Sequence, residues 1–137
     1  MNVLVDSAVW SLAIRRGAPR GTLEERELVE LISEGRVAMI GPIRQELLCA
    51  IKTVEQFRLV RDRLRAFPDM ELTHEDFEEA ASCFNKCRSR GVQGSNTDFL
   101  ICAAALRREL AVFTTDTDFG RYARLLHVKL HKARRMS

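Results

Sequence analysis

The chain has 137 residues, of which 46% are hydrophobic and 30% are charged, a length and balance typical of a single globular domain with a substantial core. It has no apolar run of about eighteen residues and no basic amino-terminal segment before a long apolar one, so we expect neither a membrane span nor a signal peptide and place the protein in the cytoplasm. The formal net charge is only +3, but no acidic residue follows Asp118, and we expect one domain over residues 1–137 with a basic tail from about residue 131.

The amino-terminal residues predict a buried strand that leads into a helix. Residues 3–5 are an apolar Val-Leu-Val run, and the chain then turns at Asp6 and Ser7 into the helical stretch Ala8–Arg15. If the strand belongs to an open parallel sheet, Asp6 lies beyond its carboxyl end, where such sheets bind ligands. Asp6 or Ser7 could instead cap the helix, because both residue types are favoured at that position.

The next segment predicts a loop, a helix and a second strand. Gly17–Gly21 has the composition of a loop inserted in the domain. Thr22 and Glu25 form a T-x-x-E capping box at the start of a helix that ends at Gly35. A second short strand follows over residues 36–40.

Three further helices are indicated by their first residues. Pro42 suits the first position of a helix that carries Glu46, Thr53 opens the next helix, and Thr73 opens the third with Asp76 as its capping-box partner. The predicted core residues of the second and third helices are Phe57, Val60, Leu64 and Phe67, then Phe77, Ala80, Ala81, Phe84 and Cys87. Between these two helices, residues 70–72 could form a short third strand.

The helix that begins at Ser95 is predicted to be the central one. Residues 99–106 are apolar nearly all round, which is typical of a helix packed on several sides, so its polar start at residues 96–98 should be held firmly. The chain continues as a strand at 110–114, a turn at 115–118, a helix at 119–126 and a strand at 128–130. Strands thus alternate with helices, which predicts an α/β three-layer sandwich with a mostly parallel sheet of four to five strands and helices on both faces.

The cysteines and histidines do not predict a metal site. Cys49, Cys83, Cys87 and Cys102 fall within apolar helical patterns, which is typical of buried reduced thiols. We interpret His74, His127 and His131 as surface or strand residues.

Acidic residues occupy equivalent places along the predicted fold. Asp6 and Asp116 follow strands, while Glu46 and Asp98 lie in the first turns of helices, and these positions share one edge of a parallel sheet. Each has a structural alternative. Asp116 could be an N-cap, Glu46 could favour a helix dipole, and Asp98 and Asp118 could complete capping boxes.

Gathered carboxylates repel one another and destabilise a fold unless a cation neutralises them. Ligands that are all oxygen select a hard ion, Mg²⁺ or Mn²⁺, and such an ion suits the hydrolysis of phosphodiesters. The hydroxyls of Ser7, Thr114 and Thr115 could orient water or phosphate, or could stabilise turns. Arg121, Arg124 and the basic tail are candidates to hold a nucleic-acid backbone.

Four stretches of the chain resemble, in order and spacing, the acidic motifs of PIN-domain ribonucleases. These stretches are Val-Leu-Val-Asp-Ser at 3–7, Glu-Leu-Leu at 46–48, Thr-Asp-Phe-Leu-Ile-Cys-Ala-Ala-Ala at 97–105 and Val-Phe-Thr-Thr-Asp-Thr-Asp-Phe at 112–119. Within that family the chain, as a small stand-alone PIN domain, most resembles the VapC toxins of bacterial type II toxin–antitoxin pairs.

This resemblance implies a metal-dependent endoribonuclease that is inhibited by a VapB antitoxin. It also implies a homodimer that forms a heterotetramer or larger assembly with the antitoxin. Carried onto this chain, the metal-site and catalytic acids are Asp6, Glu46, Asp98 and Asp116, and Asp118 matches a fifth acid. Thr115 matches a small hydroxyl residue beside them, and Ser7 stands where the family often has Thr.

Four alternative functions use the same residues differently or not at all. A phosphotransfer receiver needs an acidic pair after its first strand, and a haloacid-dehalogenase-type phosphatase needs Asp where this chain has Ala8, so the sequence argues against both. A PIN-type nuclease that matures RNA or acts on DNA stays open, as does a non-catalytic PIN-fold binding module.

Overall fold

The computed structural model of the protein describes residues 1–15 and 20–135. Its sheet has four strands, all parallel, in the order β2-β1-β3-β4. The strands are β1 (Val3–Val5), β2 (Val37–Ala38), β3 (Ala111–Phe113) and β4 (Lys129–Leu130). Most of the predicted loop at Gly17–Gly21 and the last two residues of the tail lie outside the described residues.

Seven helices surround the sheet in the described part of the chain. They are α1 (Ser7–Ile14), α2 (Leu23–Ser33), α3 (Gly41–Cys49), α4 (Val54–Leu64), α5 (His74–Ser89), α6 (Asn96–Arg108) and α7 (Asp118–Leu126). Every residue of β1 and β3 is buried, which requires cover on both faces of the central strands. The predicted α/β class with a parallel sheet is confirmed. None of the described helices is long and apolar enough to cross a membrane.

The helix starts follow the predicted caps. The hydroxyls of Thr22, Thr53 and Ser95 each accept a hydrogen bond from the backbone N–H three residues later, which satisfies a donor at the first turn of α2, α4 and α6. At α5 the capping box is complete, because the Asp76 carboxylate also accepts from the backbone N–H of Thr73 at 2.8 Å. α6 then runs through the core, with residues 99–105 all buried.

Several sequence-based assignments are wrong. Residues 70–72 form no strand, because the chain there makes only a single bridge between Met39 and Asp69. Phe57 is 36% exposed and Phe77 53% exposed, and Ala81 is exposed as well, so none of the three is a core residue. Cys49 is exposed, whereas the other three cysteines are buried and free.

The buried face of α5 differs from the predicted apolar stripe because an acid occupies one of its core positions. Asp76 is fully buried, and its carboxylate binds Arg107 at 2.6 Å and Arg108 at 2.7 Å. The buried face of α5 is therefore Asp76, Ala80, Cys83 and Cys87. Arg108 first, and then the Thr73 N–H and Arg107, hold the pKa of Asp76 well below its usual value against the opposing effect of burial.

The beginning of the basic tail is docked on α2. Arg134 forms ion pairs with Glu27 at 3.0 Å and with Glu34 at 2.8 Å, and His131 contacts the buried Glu27 as well. The interpretation of His131 as a simple surface or strand residue is therefore wrong. Arg134 is already paired, so among the described tail residues it is a poor candidate to hold a nucleic-acid backbone.

Candidate active site

The strands run parallel, so the carboxyl ends of β1 and β3 and the amino ends of α3, α6 and α7 share one side of the sheet. We call this side the acidic edge. Its acidic residues are Asp6, Glu46, Asp98, Asp116 and Asp118.

Asp6 is the buried member of the acidic edge, with 6% of its surface exposed. It is the N-cap of α1, where its Oδ1 accepts from the Ser7 N–H at 2.8 Å, as the capping interpretation predicted. Its Oδ2 accepts from the Thr114 hydroxyl at 2.8 Å, and its own N–H donates to the Phe113 carbonyl. Asp6 therefore connects β1 to the end of β3 in addition to capping a helix.

Burial raises the pKa of Asp6 above its usual value, and the charges of Glu46 and Asp98 raise it further. The hydrogen bonds from Thr114 and Ser7 only partly oppose this increase. Glu46 and Asp98, which belong to two other elements, therefore lie close enough to Asp6 to act on it electrostatically. The capping role alone does not explain why they meet.

Glu46 is exposed on α3 and is held by a residue that is 39 positions away in the chain. Its Oε1 accepts a hydrogen bond from the Ser7 hydroxyl at 2.8 Å. Ser7 thereby links the start of α1 to the acidic residue of α3. This contact explains why a hydroxyl residue directly after Asp6 is useful at the acidic edge.

The turn between β3 and α7 is ordered by its own polar groups. The Asp116 N–H donates to the Thr114 hydroxyl at 3.0 Å, and Oδ1 of Asp116 accepts from the Asp118 N–H at 2.9 Å. Asp116 therefore stabilises the turn that opens α7, much as the N-cap alternative proposed. Asp118 pairs with Arg121 at 2.7 Å and makes no capping box with Thr115.

Asp98 lies in the first turn of α6. Its N–H donates to the Ser95 hydroxyl at 3.0 Å, but its carboxylate does not complete a capping box. Instead, Oδ2 of Asp98 accepts from the Tyr122 hydroxyl of α7 at 3.0 Å. Burial first, and then Asp98, raise the pKa of Tyr122, so the hydroxyl keeps its proton for this bond.

The donor set of the acidic edge fits a hard divalent ion, because every nearby acidic group offers carboxylate oxygens. Within residues 1–15 and 20–135, no three Asp, Glu, His or Cys side chains are arranged as a ready-made metal site. The donor chemistry of the edge nevertheless fits Mg²⁺ or Mn²⁺.

Two of the predicted contacts to nucleic acid differ in their surroundings. The guanidinium of Arg121 is paired with Asp118, whereas the exposed Arg124 has no ion pair among the described residues. The side chain of Thr115 is exposed and makes no hydrogen bond in the described part of the chain, while the neighbouring Thr114 binds Asp6.

Sequence reasoning missed Tyr122, and it missed Gly94, whose lack of a side chain leaves room for the Tyr122 hydroxyl. Tyr122 is 1% exposed, and a buried tyrosine hydroxyl needs a hydrogen-bond partner. A tyrosine within the apolar stripe of α7 could therefore have indicated a buried polar contact. Which acid it would bind depends on how α6 and α7 pack, and local sequence patterns do not determine that packing.

Comparisons with known proteins give a family and a fold. A family model described as PIN domain matches residues 3–125. The fold is similar to FitAcB from Neisseria gonorrhoeae, with 20% identity, a TM-score of 0.75 and coverage of 96% of this chain and 97% of the other. A comparison with curated proteins gave no match.

Two further solved structures are similar. One is VapBC2 from Rickettsia felis bound to a DNA fragment from their promoter, with 16% identity, a TM-score of 0.77 and coverage of 96% of this chain and 98% of that one. The other is a toxin-antitoxin complex from Klebsiella pneumoniae, with 18% identity, a TM-score of 0.64 and coverage of 86% and 90%. The structural similarity establishes a shared fold. At identities this low it establishes nothing beyond the fold.

Proposed function

Because the chain belongs to the PIN domain family, whose members are generally nucleases, we propose that it is a metal-dependent endoribonuclease and the toxin of a toxin–antitoxin pair. The observation that carries the proposal is that Glu46 and Asp98 lie near enough to the buried Asp6, at the acidic edge, to act on its charge. The buried Asp6 has a raised pKa partly because the other two carboxylates lie near it. A divalent cation would relieve that repulsion, and phosphodiester hydrolysis is chemistry that such a cation supports.

In this proposal the ion is Mg²⁺ or Mn²⁺, and Asp6 and Asp98 hold it together with Glu46, Asp116 and Asp118. When bound, it would supply an activated water and stabilise negative charge on the leaving oxygen.

The hydroxyl residues of the edge hold the acids in place. Thr114 fixes Asp6 through a bond to Oδ2, and Ser7 fixes Glu46 through a bond to Oε1. Both oxygens of Asp6 accept one hydrogen bond each, whereas Oε2 of Glu46 has no hydrogen bond within the described residues.

Substrate contacts are proposed for the basic and hydroxyl residues around the edge. Arg124 is exposed and unpaired among the described residues, so it is the better placed of the two predicted arginines to bind a phosphate. Arg121 could reach a phosphate only by exchanging its contact with Asp118. Ser7 and Thr115 complete the predicted substrate contacts.

The proposed partner is a VapB-type antitoxin. Similar folds occur in a VapBC2 structure bound to promoter DNA and in a toxin-antitoxin complex, and this likeness supports a partner protein of the same kind. We expect a homodimer that forms a heterotetramer or larger assembly with the antitoxin. A short reading frame beside this gene, encoding a small DNA-binding protein that co-purifies with the chain, would support the pairing.

The purified chain should be assayed on total RNA with Mg²⁺, with Mn²⁺ and with EDTA, and in parallel on single-stranded and flap DNA. We expect cleavage of RNA that requires the metal and is abolished in Asp98→Asn. The matched control is Asp62→Asn, which removes an exposed acid of α4, a helix that supplies none of the acids of the acidic edge. This variant should cleave normally. Cleavage in EDTA would contradict the metal mechanism, cleavage confined to DNA would favour the alternative nuclease, and no cleavage of either would favour a binding module.

A further inference from the structure

We propose that Tyr122 is a positioning residue, whose hydroxyl fixes the carboxylate of Asp98 so that the acidic edge can take up a divalent ion. The inference rests on the proposed function, because it assigns a role in that same metal site. Tyr122 itself would touch neither metal nor substrate.

The hydrogen bond is made by a group with little freedom. Tyr122 is 1% exposed on α7, and its hydroxyl donates to Oδ2 of Asp98 at 3.0 Å. The Gln93 carbonyl, at 3.4 Å, is the other acceptor within reach. A hydroxyl has one proton, so the shorter bond to a charged oxygen is the stronger one.

Aromatic packing fixes the ring that carries the hydroxyl. The ring centroid of Tyr122 lies 5.0 Å from that of Phe99 and 5.1 Å from that of Phe119, both in tilted or edge-on contacts. Phe99 follows Asp98 directly on α6, so the same contact also fixes the relation between α6 and α7. The acid and its donor are therefore positioned by one aromatic cluster.

A glycine makes room for the hydroxyl. A Cβ atom at Gly94 would overlap the hydroxyl oxygen of Tyr122 and would lie 2.8 Å from its Cζ and 3.1 Å from Cε2 of Phe99. Gly94 has no positive φ, so the requirement for glycine comes from space and not from the backbone conformation. The chain thus leaves a gap, one residue before the cap of α6, that the tyrosine hydroxyl fills.

Asp98 is consequently held at two points. Ser95 fixes its backbone through the capping bond, and Tyr122 fixes Oδ2 of its carboxylate. Oδ1 has no hydrogen bond in the described part of the chain and remains available to a cation. Partners that orient a metal ligand in this way typically change metal affinity or activity about 10- to 100-fold when removed.

The test is the affinity of the full-length protein for Mn²⁺, measured by calorimetry or by the electron paramagnetic resonance of free Mn²⁺. Tyr122→Phe removes the hydroxyl and keeps the ring, so we expect a near-normal melting temperature and Mn²⁺ binding weakened about 10-fold. Ser89→Ala is the matched control, because it removes a hydroxyl that bonds the Lys86 carbonyl at 2.7 Å near the end of α5. It should bind Mn²⁺ normally.

Gly94→Ala provides a second variant that keeps the hydroxyl but displaces it. It should weaken Mn²⁺ binding about as much as Tyr122→Phe, and the double variant should bind no more weakly than either single one, because all three lose the same contact. Additive losses would overturn the inference, because they would mean that the two residues act separately.

Tyr122 is the only tyrosine, so a ¹³Cζ-tyrosine label gives one resonance that reports its hydroxyl. Adding Mg²⁺ should shift this resonance in the unmodified protein and leave it unchanged in Asp98→Asn. If the unmodified protein binds no Mn²⁺, the proposed metal site fails and the positioning role falls with it. If it binds Mn²⁺ and Tyr122→Phe binds equally well, only the positioning role is overturned.

Discussion

Replacing Asp6 by Asn should stabilise the metal-free protein at neutral pH while abolishing the proposed cleavage of RNA. Asp6 is 6% exposed, and burial, Glu46 and Asp98 raise its pKa above the usual 3.8. The folded protein therefore binds this proton more tightly than the unfolded chain does. Stability falls as the pH rises from 3.8 through the folded-state pKa, and it stays at the lower value above that range.

The size of the gain follows from the groups around the carboxyl. A difference of one pH unit between the folded and unfolded pKa is worth about 1.4 kcal/mol. Asn is as good an N-cap as Asp and can still accept from the Ser7 N–H, while the Thr114 hydroxyl can turn to accept from its amide. We expect a gain of about 1 kcal/mol, or about 4 °C in melting temperature.

The assay is urea unfolding in EDTA between pH 3 and pH 8, with Asp62→Asn as a control of equal charge change. The advantage of Asp6→Asn should be present at pH 7 and should disappear as the pH falls below 3.8, where the carboxyl becomes protonated in both the folded and the unfolded states of the unmodified protein. Added Mg²⁺ should stabilise the unmodified protein and have little effect on the variant. A loss of more than about 1 kcal/mol at pH 7 would refute the reasoning, because the fold would then depend on the charge of Asp6 as a cap.

Other predictions test the fold and the substrate contacts. Asp76→Asn should lower the free energy of unfolding by about 3–5 kcal/mol at pH 7, since it breaks a buried ion pair with Arg108. The depressed pKa of Asp76 means that its contribution is present above pH 3.8 and lost as the pH falls below it, so the urea midpoints of the variant and the unmodified protein should converge in acid. One thiol per chain, Cys49, should react with Ellman's reagent in the native protein, because the other three are buried and burial raises the pKa of Cys83 to about 11; rapid reaction of all four would contradict the packing. Arg124→Ala should weaken RNA binding and reduce its salt dependence by about one phosphate contact, and an unchanged salt slope would exclude that contact.

The sequence was most informative where structure is decided locally. Thr22, Thr53, Thr73 and Ser95 mark helix starts because the hydroxyl of each accepts a hydrogen bond from the backbone N–H three residues later, and each of these four caps is present. The alternation of strands and helices was enough to predict a parallel sheet, and a parallel sheet was enough to predict one edge for the acids.

Predictions failed where partners distant in sequence decide the outcome. Asp76 matched a capping box, but Arg107 and Arg108, more than thirty residues later, also draw it into the core. That burial excludes Phe77 from the predicted apolar stripe of α5. A local pattern gives the period of a helix but does not determine which neighbour supplies the countercharge.

In the candidate site, too, the positions fixed by topology could be predicted and the contacts between distant side chains could not. The positions of Asp6 and Asp98 at one edge could be predicted from topology, and their hydroxyl partners could not. Thr114 binds Asp6 across 108 positions, and Tyr122 binds Asp98 only because α6 and α7 pack side by side. These contacts depend on tertiary packing, which no motif in the chain encodes by itself.

The most direct measurement is the anomalous scattering of a crystal of the full chain grown with Mn²⁺. We predict a manganese peak at the acidic edge, within about 2.3 Å of carboxylate oxygens of Asp6 and Asp98 and absent from Asp98→Asn crystals. A peak at another place on the surface, or no peak in crystals of protein that cleaves RNA, would contradict the account.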